Sequence, residues 1–259
     1  MNPDWLQPQW PAPARVQALC TSRNGGSSGG TYDSFNLGDH VGDAPAAVAD
    51  NRATLAKVLG VRPVFLSQVH GVAVAALTPD SPDGQVADSG ISCQTGVACT
   101  IMVADCLPVL LTDRQGRRVA AAHAGWRGLA GAGGQGVLES TFKAFRAPAP
   151  DGIGVVATEI IAWLGPCIGP KAFEVGDEVR QAFVAHHPAA ADMFAAGAPG
   201  KWWANLAGLA RQRLAVLGVQ QVFGNDGSPA WCTVSQPSRF FSHRRDRVSG
   251  RMAACIWLV

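Results

Sequence analysis

What the chain lacks narrows the problem first. No apolar run approaches the roughly 18 residues that a membrane-spanning helix needs. The opening stretch MNPDWLQPQWPAPARV has no basic start followed by an apolar core, so no secretory leader is expected. CxxC pairs are absent. The seven cysteines (Cys20, Cys93, Cys99, Cys106, Cys167, Cys232 and Cys255) are odd in number and widely spaced. This argues against a disulfide framework and, in a chain expected to be cytoplasmic, leaves one or two thiols for metal or catalytic use. Charge is scarce, at 15% of residues with a net of +2, and Lys and Arg are scattered apart from RRDR near the C-terminus. Neither nucleic acid nor a membrane is therefore an expected partner.

The chain is instead rich in apolar residues, which make up 47% of its 259 positions, enough for a sizeable core. Residues 1–14, rich in Pro and Trp, read as an irregular lead-in to one domain filling 1–259, with no repeat and no linker. Strand-like runs are RVQALC (15–20), VFLSQV (64–69), VAVAAL (72–77), VACTIMVA (97–104), PVLLTD (108–113), RVAAAH (118–123) and EIIAWLG (159–165), then VFG, FFSHRR and MAACIWLV. An RQG turn predicts a hairpin between 108–113 and 118–123. Helices are expected over 45–58, 129–145, 177–186 and 204–217, the first with Asp43 as N-cap, Pro45 in its first turn and Gly60 closing it. Strands in runs with helices interspersed predict an α+β domain with mixed β-sheets.

The histidines sort by context. His186 and His187 precede Pro188 at a helix end, where a cation suits the helix dipole. His70 in SQVHG and His123 in AAAHAG each close an apolar run before a small residue, and Cys106 stands where Pro108 forces a strand to break. Strand ends present side chains into clefts. Three readings stay open: inert packing, a Cys106–His123 dyad, or three ligands of a metal. Two imidazoles and a thiolate suit zinc, with a fourth position left for water or substrate that the ion would activate. Asp105 is then either a partner of a ligand or a cap on the strand end.

Three further stretches carry polar chemistry. WLGPCIGP (163–170) is a tight turn that either presents backbone N–H groups to an anion or is plain structure, with Cys167 as a second thiol for the cleft. The loop 21–43 is too long for a mere connector. With the helix after it, it offers Arg23, Asn36, His40 and Arg52, residue types that hold phosphate or ribose oxygens, although Arg52 also reads as a solvated helix charge. HRRDRVSGR (243–251) either binds an anion or pairs Asp246 with its neighbours at the surface; the surface pairing is the favoured reading.

The ordered set FLSQVHG, ADCLPVLL, AAAHAGWRGL, LGPCIGP with FEVG, and FFSHRRD…SGRMAACIWL, preceded by TSRNGGSSGGTYDSFNLGDHVGD, closely resembles the YfiH-like family over roughly residues 15–259. This family is also called the laccase-domain or polyphenol oxidase family, and its members are regarded as purine nucleoside phosphorylases. The resemblance implies one domain with mixed β-sheets sandwiched between helices, and zinc held by His70, Cys106 and His123. It implies phosphorolysis of adenosine, inosine, guanosine and methylthioadenosine to base plus sugar 1-phosphate, with deamination of adenosine to inosine. It maps Asn36 and Arg52 as substrate- or phosphate-binding groups. His243 departs from the pattern, where an aromatic such as Tyr is expected, and is assigned to the periphery. The rivals are a copper polyphenol oxidase, which needs more His ligands than six histidines supply; a metal-free Cys106–His123 hydrolase, which leaves His70 idle; and a non-catalytic binding or cell-wall editing factor. A monomer acting on small molecules is expected.

Overall fold

The structure, a computed structural model, describes residues 2–148 and 154–259. Chain order is β1 (Val16–Cys20), α1 (Pro45–Leu59), β2 (Arg62–Phe65), β3 (Val74–Ala76), β4 (Ser89–Ser92), β5 (Val97–Val103), β6 (Leu107–Asp113), β7 (Val119–Ala124), α2 (Trp126–Ala130) and α3 (Val137–Arg146). It continues with β8 (Ile160–Leu164), β9 (Glu174–Gly176), α4 (Asp177–Val184), β10 (Phe194–Ala196), β11 (Lys201–Ala204), α5 (Leu206–Val216), β12 (Gln221–Gly224), α6 (His243–Asp246) and β13 (Met252–Leu258).

Two mixed sheets form the centre, with strand orders β1-β13-β5-β2 and β12-β8-β6-β7-β4-β3, beside a small antiparallel sheet β10-β11-β9. Period-two alternation assigns their faces. In β5, Val97, Cys99 and Ile101 meet Leu110, Val119, Ala121 and Trp163 of the six-stranded sheet, and this is the seam between the sheets. Ala98 and Met102 point the other way, with Leu55 and Leu59 of α1. On the far side of the six-stranded sheet, Val109, Leu111, Ala120 and Ala122 pack with Phe142 and Phe145 of α3 and with Leu209 and Leu214 of α5. The mixed sheets therefore lie between helices, as the resemblance implies.

Two connections carry the chain between the sheets. β2 and β5 belong to the four-stranded sheet, and β3 and β6 to the six-stranded one. The β2–β3 connection holds His70 and the β5–β6 connection holds Cys106. A chain leaving one sheet for the other must shed its ladder partners, so both crossings are irregular. This shortens the expected strand 64–69 to Arg62–Phe65 and moves His70 from a strand end to a loop. That loop is tied back by Gln68, whose side chain donates to the carbonyl of Met102 (2.8 Å) and accepts from its N–H (2.7 Å).

Several expectations are corrected. The helix expected over 129–145 is two, because Gly131, Gly133 and Gly134 take φ of 63°, 59° and 76° and break it. Helix α1 is capped by Ala44; Asp43 instead accepts from the Ala44 N–H (2.8 Å) and from Asn36. FFSHRR is no strand: Phe240 and Phe241 are fully buried and α6 follows. The short strands β4, β9, β10 and β11 carry no clear alternation and were not expected. The expected hairpin is present, with β6 and β7 antiparallel.

Candidate metal centre

The structure brings His70, Cys106 and His123 together, with one ligand atom of each within 4.8 Å of the others. His123 lies on β7, one residue from the strand end, and is buried. Cys106 directly precedes β6, and its Sγ is 3.5 Å from His70 Nε2. The two imidazoles meet edge to face, with centroids 4.8 Å apart. Close approach requires Gly125 immediately after β7: a Cβ there would stand 2.6 Å from His70 Cδ2 and 2.9 Å from Cys106 Sγ.

One carboxylate organises two of the three. Asp88 is fully buried. Its Oδ1 is 2.8 Å from His123 Nδ1 and accepts from the His70 N–H (2.9 Å). Its Oδ2 accepts from the N–H groups of Gly71 (2.7 Å) and Val69 (3.2 Å). The Asp88 carbonyl also accepts from the His123 N–H at 2.7 Å. Burial would raise the Asp88 pKa, but the bonds from His123 and from these amides outweigh it and hold it below the usual carboxylate value. An ionised Asp88 fixes the proton of His123 on Nδ1, so Nε2 is the nitrogen left as a ligand. Asp105, for which a role beside a ligand and a role as a strand-end cap were both open, is committed to the Thr233 hydroxyl and the Arg244 N–H.

The thiol is poised for coordination. Burial would raise Cys106, but the charge of His123 and hydrogen bonds from His123 and His70 bring it down to about 6. His123 rises to about 9: burial alone would lower it, and the Cys106 thiolate and Asp88 reverse that. Two imidazoles and a thiolate, with one imidazole anchored by a carboxylate, fit a borderline-soft divalent ion.

The group opens into a cavity of about 330 Å³. Its lining includes the apolar side chains of Met102, Trp126, Ile168, Phe173 and Leu206 and the basic side chains of His40, His243, Arg244, Arg247 and Arg251. Among the described residues, the non-glycine positions with left-handed φ are His70 (59°), Asp105 (94°) and Arg247 (63°), and all three line this cavity. Side chains rarely adopt that backbone, and such positions gather at functional sites.

The other sequence candidates are placed as follows. Asn36 is fully buried, donates to Gly38 and Asp43, and accepts the N–H of Arg251 (2.8 Å). Arg52 stacks on Phe65, pairs with Asp39 (3.2 Å), and lines an adjoining cavity of about 250 Å³ that shares His40, Gln68 and Met102 with the first. Arg23 is held by the carbonyls of Asp33 and Pro237. Cys167 is buried away from the cavity, its thiol raised by desolvation, and Ile168 beside it lines the wall instead. His243, expected at the periphery, lines the cavity itself. Asp88 escaped the sequence reading, since VADSG carries no motif and its partners lie 17 to 35 residues away.

A family model described as multi-copper polyphenol oxidoreductase laccase matches residues 17–259. The chain belongs to this family. Relatives of this laccase-domain protein carry another name. A purine nucleoside phosphorylase of Pseudomonas aeruginosa is 51% identical over 255 residues, covering 98% of both chains. The purine nucleoside phosphorylase YfiH of Escherichia coli is 48% identical over 256 residues, again covering 98% of each. The crystal structure of a Neisseria meningitidis protein matches with a TM-score of 0.90 at 45% identity, covering 98% of this chain and 99% of that one.

Proposed function

We propose that the chain is a zinc-dependent purine nucleoside phosphorylase. It would cleave adenosine, inosine, guanosine and methylthioadenosine with phosphate, and deaminate adenosine in the same cavity. The observation that carries this is the presence, in the lining of one cavity, of the His70–Cys106–His123 group and three arginines. The names of the relatives support it.

His70 Nε2, Cys106 Sγ and His123 Nε2 would hold the ion. Bound there, zinc supplies Lewis acidity toward water and toward negative charge developing on a leaving purine. The remaining work belongs to the chain. Asp88 keeps His123 in the tautomer that leaves Nε2 free. Trp126, Phe173 and Leu206 offer the apolar surface a purine needs, and they exclude water. The arginines hold the phosphate dianion at the anomeric carbon. A phosphate oxygen bonds to C1′ as the C1′–N9 bond breaks; the electron pair leaves with the purine, which takes the phosphate proton. In deamination, water adds at C6 and ammonia departs. Asn36 acts here by anchoring the Arg251 backbone, and Arg52 by ordering Asp39 beside His40 where the two cavities join.

The description of the family as polyphenol oxidoreductases favours a second reading, a copper polyphenol oxidase. Among the described residues one His/Cys/Asp/Glu group has metal-binding geometry, whereas multi-copper oxidation needs several centres. Free thiols at all seven cysteines suit a reducing cytoplasm, and among the described residues no helix is long and apolar enough to cross a membrane. The test is Cys106→Ala. The folded variant should lose both its zinc and its phosphate-dependent cleavage of adenosine. Cleavage at the wild-type rate without zinc overturns the reading.

A further inference from the structure

The segment HRRDRVSGR divides in the structure, and only part of it forms the expected surface pairing. Arg245 is bound to Asp246 (2.7 Å) and to the carbonyls of Thr233 and Phe240. Arg244 is held by the carbonyls of Ala172 and Glu174. Arg247 and Arg251 are different. Both line the cavity, and no carboxylate pairs with either guanidinium among the described residues. Arg251 uses one nitrogen, Nη1, on the carbonyls of Ser249 and Gly250, and has no other side-chain partner there. The one acidic residue in the lining, Asp105, has both oxygens occupied.

Arg247 carries the second observation. It follows α6 at φ 63° and ψ −59°, a backbone that glycine alone adopts readily. The turn is closed across Arg247 by the Val248 N–H, which donates to the Asp246 carbonyl at 2.7 Å, and with ψ at −59° it is the rare, strained γ-turn. The strained turn aims a side chain of fixed positive charge at the cavity that holds His70 and Asp105, the other two strained residues. Arg251, half-buried with Nε and Nη2 unpartnered among the described residues, and the exposed Arg247 in the same lining leave positive charge that an anion can complete.

We propose that Arg247, with Arg251, forms a phosphate subsite on the cavity wall, with free inorganic phosphate as its ligand. This deepens the phosphorolysis reading and rests on it. Two planar donor forks accept a tetrahedral dianion through paired N–H···O bonds. Arg247 is thereby the determinant of phosphate affinity and makes no contribution to purine affinity.

The test uses zinc-loaded wild type, Arg247→Gly, which relieves the positive-φ backbone, and Arg247→Gln, which leaves that backbone as it is and removes the charge. Melting temperature is followed against inorganic phosphate, and against adenosine 5′-monophosphate as the phosphomonoester arm. Inorganic phosphate should raise the wild-type melting temperature, and each variant should need about tenfold or more of it for the same rise. KM for phosphate should rise by a similar factor, with KM for adenosine unchanged and the phosphate-free melting temperature equal or higher. An unchanged phosphate response in both variants overturns the subsite, as does stabilisation of wild type by the monophosphate alone. If wild type cleaves adenosine with phosphate but the variants keep its KM, the subsite falls and phosphorolysis stands. If phosphate stabilises wild type and not the variants while adenosine stays intact, phosphorolysis falls and the subsite stands.

Discussion

Asp88 Oδ1 lies 2.8 Å from His123 Nδ1, and the same carboxylate accepts the N–H groups of Val69, His70 and Gly71. One buried side chain thus sets the ring of one candidate ligand and the backbone of another. Asp88→Asn keeps the shape but puts an NH2 group where an acceptor is required. Zinc affinity, read by competition with a chromogenic chelator, should fall by about 10- to 100-fold. An unchanged affinity would mean that the three ligands are positioned without Asp88.

Gly125 gives a steric counterpart. In Gly125→Ala the new Cβ would stand 2.6 Å from His70 Cδ2 and 2.9 Å from Cys106 Sγ, so the site must spread while the sheets beneath it stay intact. The folded variant should hold zinc at least tenfold more weakly, with a near-native far-ultraviolet circular dichroism spectrum. Wild-type zinc affinity would show that the two ligands need not approach so closely.

Thiol labelling separates ligand from packing. Cys93 is exposed, while Cys20, Cys99, Cys167, Cys232 and Cys255 are buried. At pH 7 the metal-free protein should take iodoacetamide at Cys93 and Cys106, and zinc should protect Cys106 alone. Because His123 and His70 hold the Cys106 thiol down at about 6 against the effect of burial, its labelling should fall as pH drops through that value. Equal labelling of Cys106 with and without zinc would favour a metal-free nucleophile.

Asn36 tests how the front loop reaches the cavity. Its side chain, itself fully buried, accepts the N–H groups of Gly38 and Arg251 and donates to Gly38 and Asp43. Asn36→Ala strands these partners and should cost about 1–3 kcal/mol in urea unfolding. It should also raise KM for phosphate through Arg251. A loss within about 0.5 kcal/mol would place the loop's anchoring elsewhere.

The legible and illegible parts of the sequence divide along a physical line. β5, β6, β7 and β13 are buried end to end, and their continuous apolar runs mark them directly. His70, Cys106 and His123 stand out because each stands at the end of an apolar run. Asp88 and Arg247 do not, since the role of each comes from partners that only the fold supplies. The His70 loop illustrates this. VFLSQV reads as one strand, yet the chain must cross between sheets there, and Asp88 and Gln68 hold the crossing. In HRRDRVSGR, identical residue types are used differently: Arg245 pairs with Asp246, while Arg244, Arg247 and Arg251 line the cavity. The small sheet β10-β11-β9 is built from strands of three or four residues, too short for alternation to register.

The central claim is that the metal group and the cavity's arginines serve one reaction on purine nucleosides. Chromatography of adenosine incubated with zinc-loaded protein, with and without phosphate, tests it in one comparison. The account predicts adenine and ribose 1-phosphate only when phosphate is present, and inosine in both samples. Adenosine left intact in both, at full zinc occupancy, would contradict it.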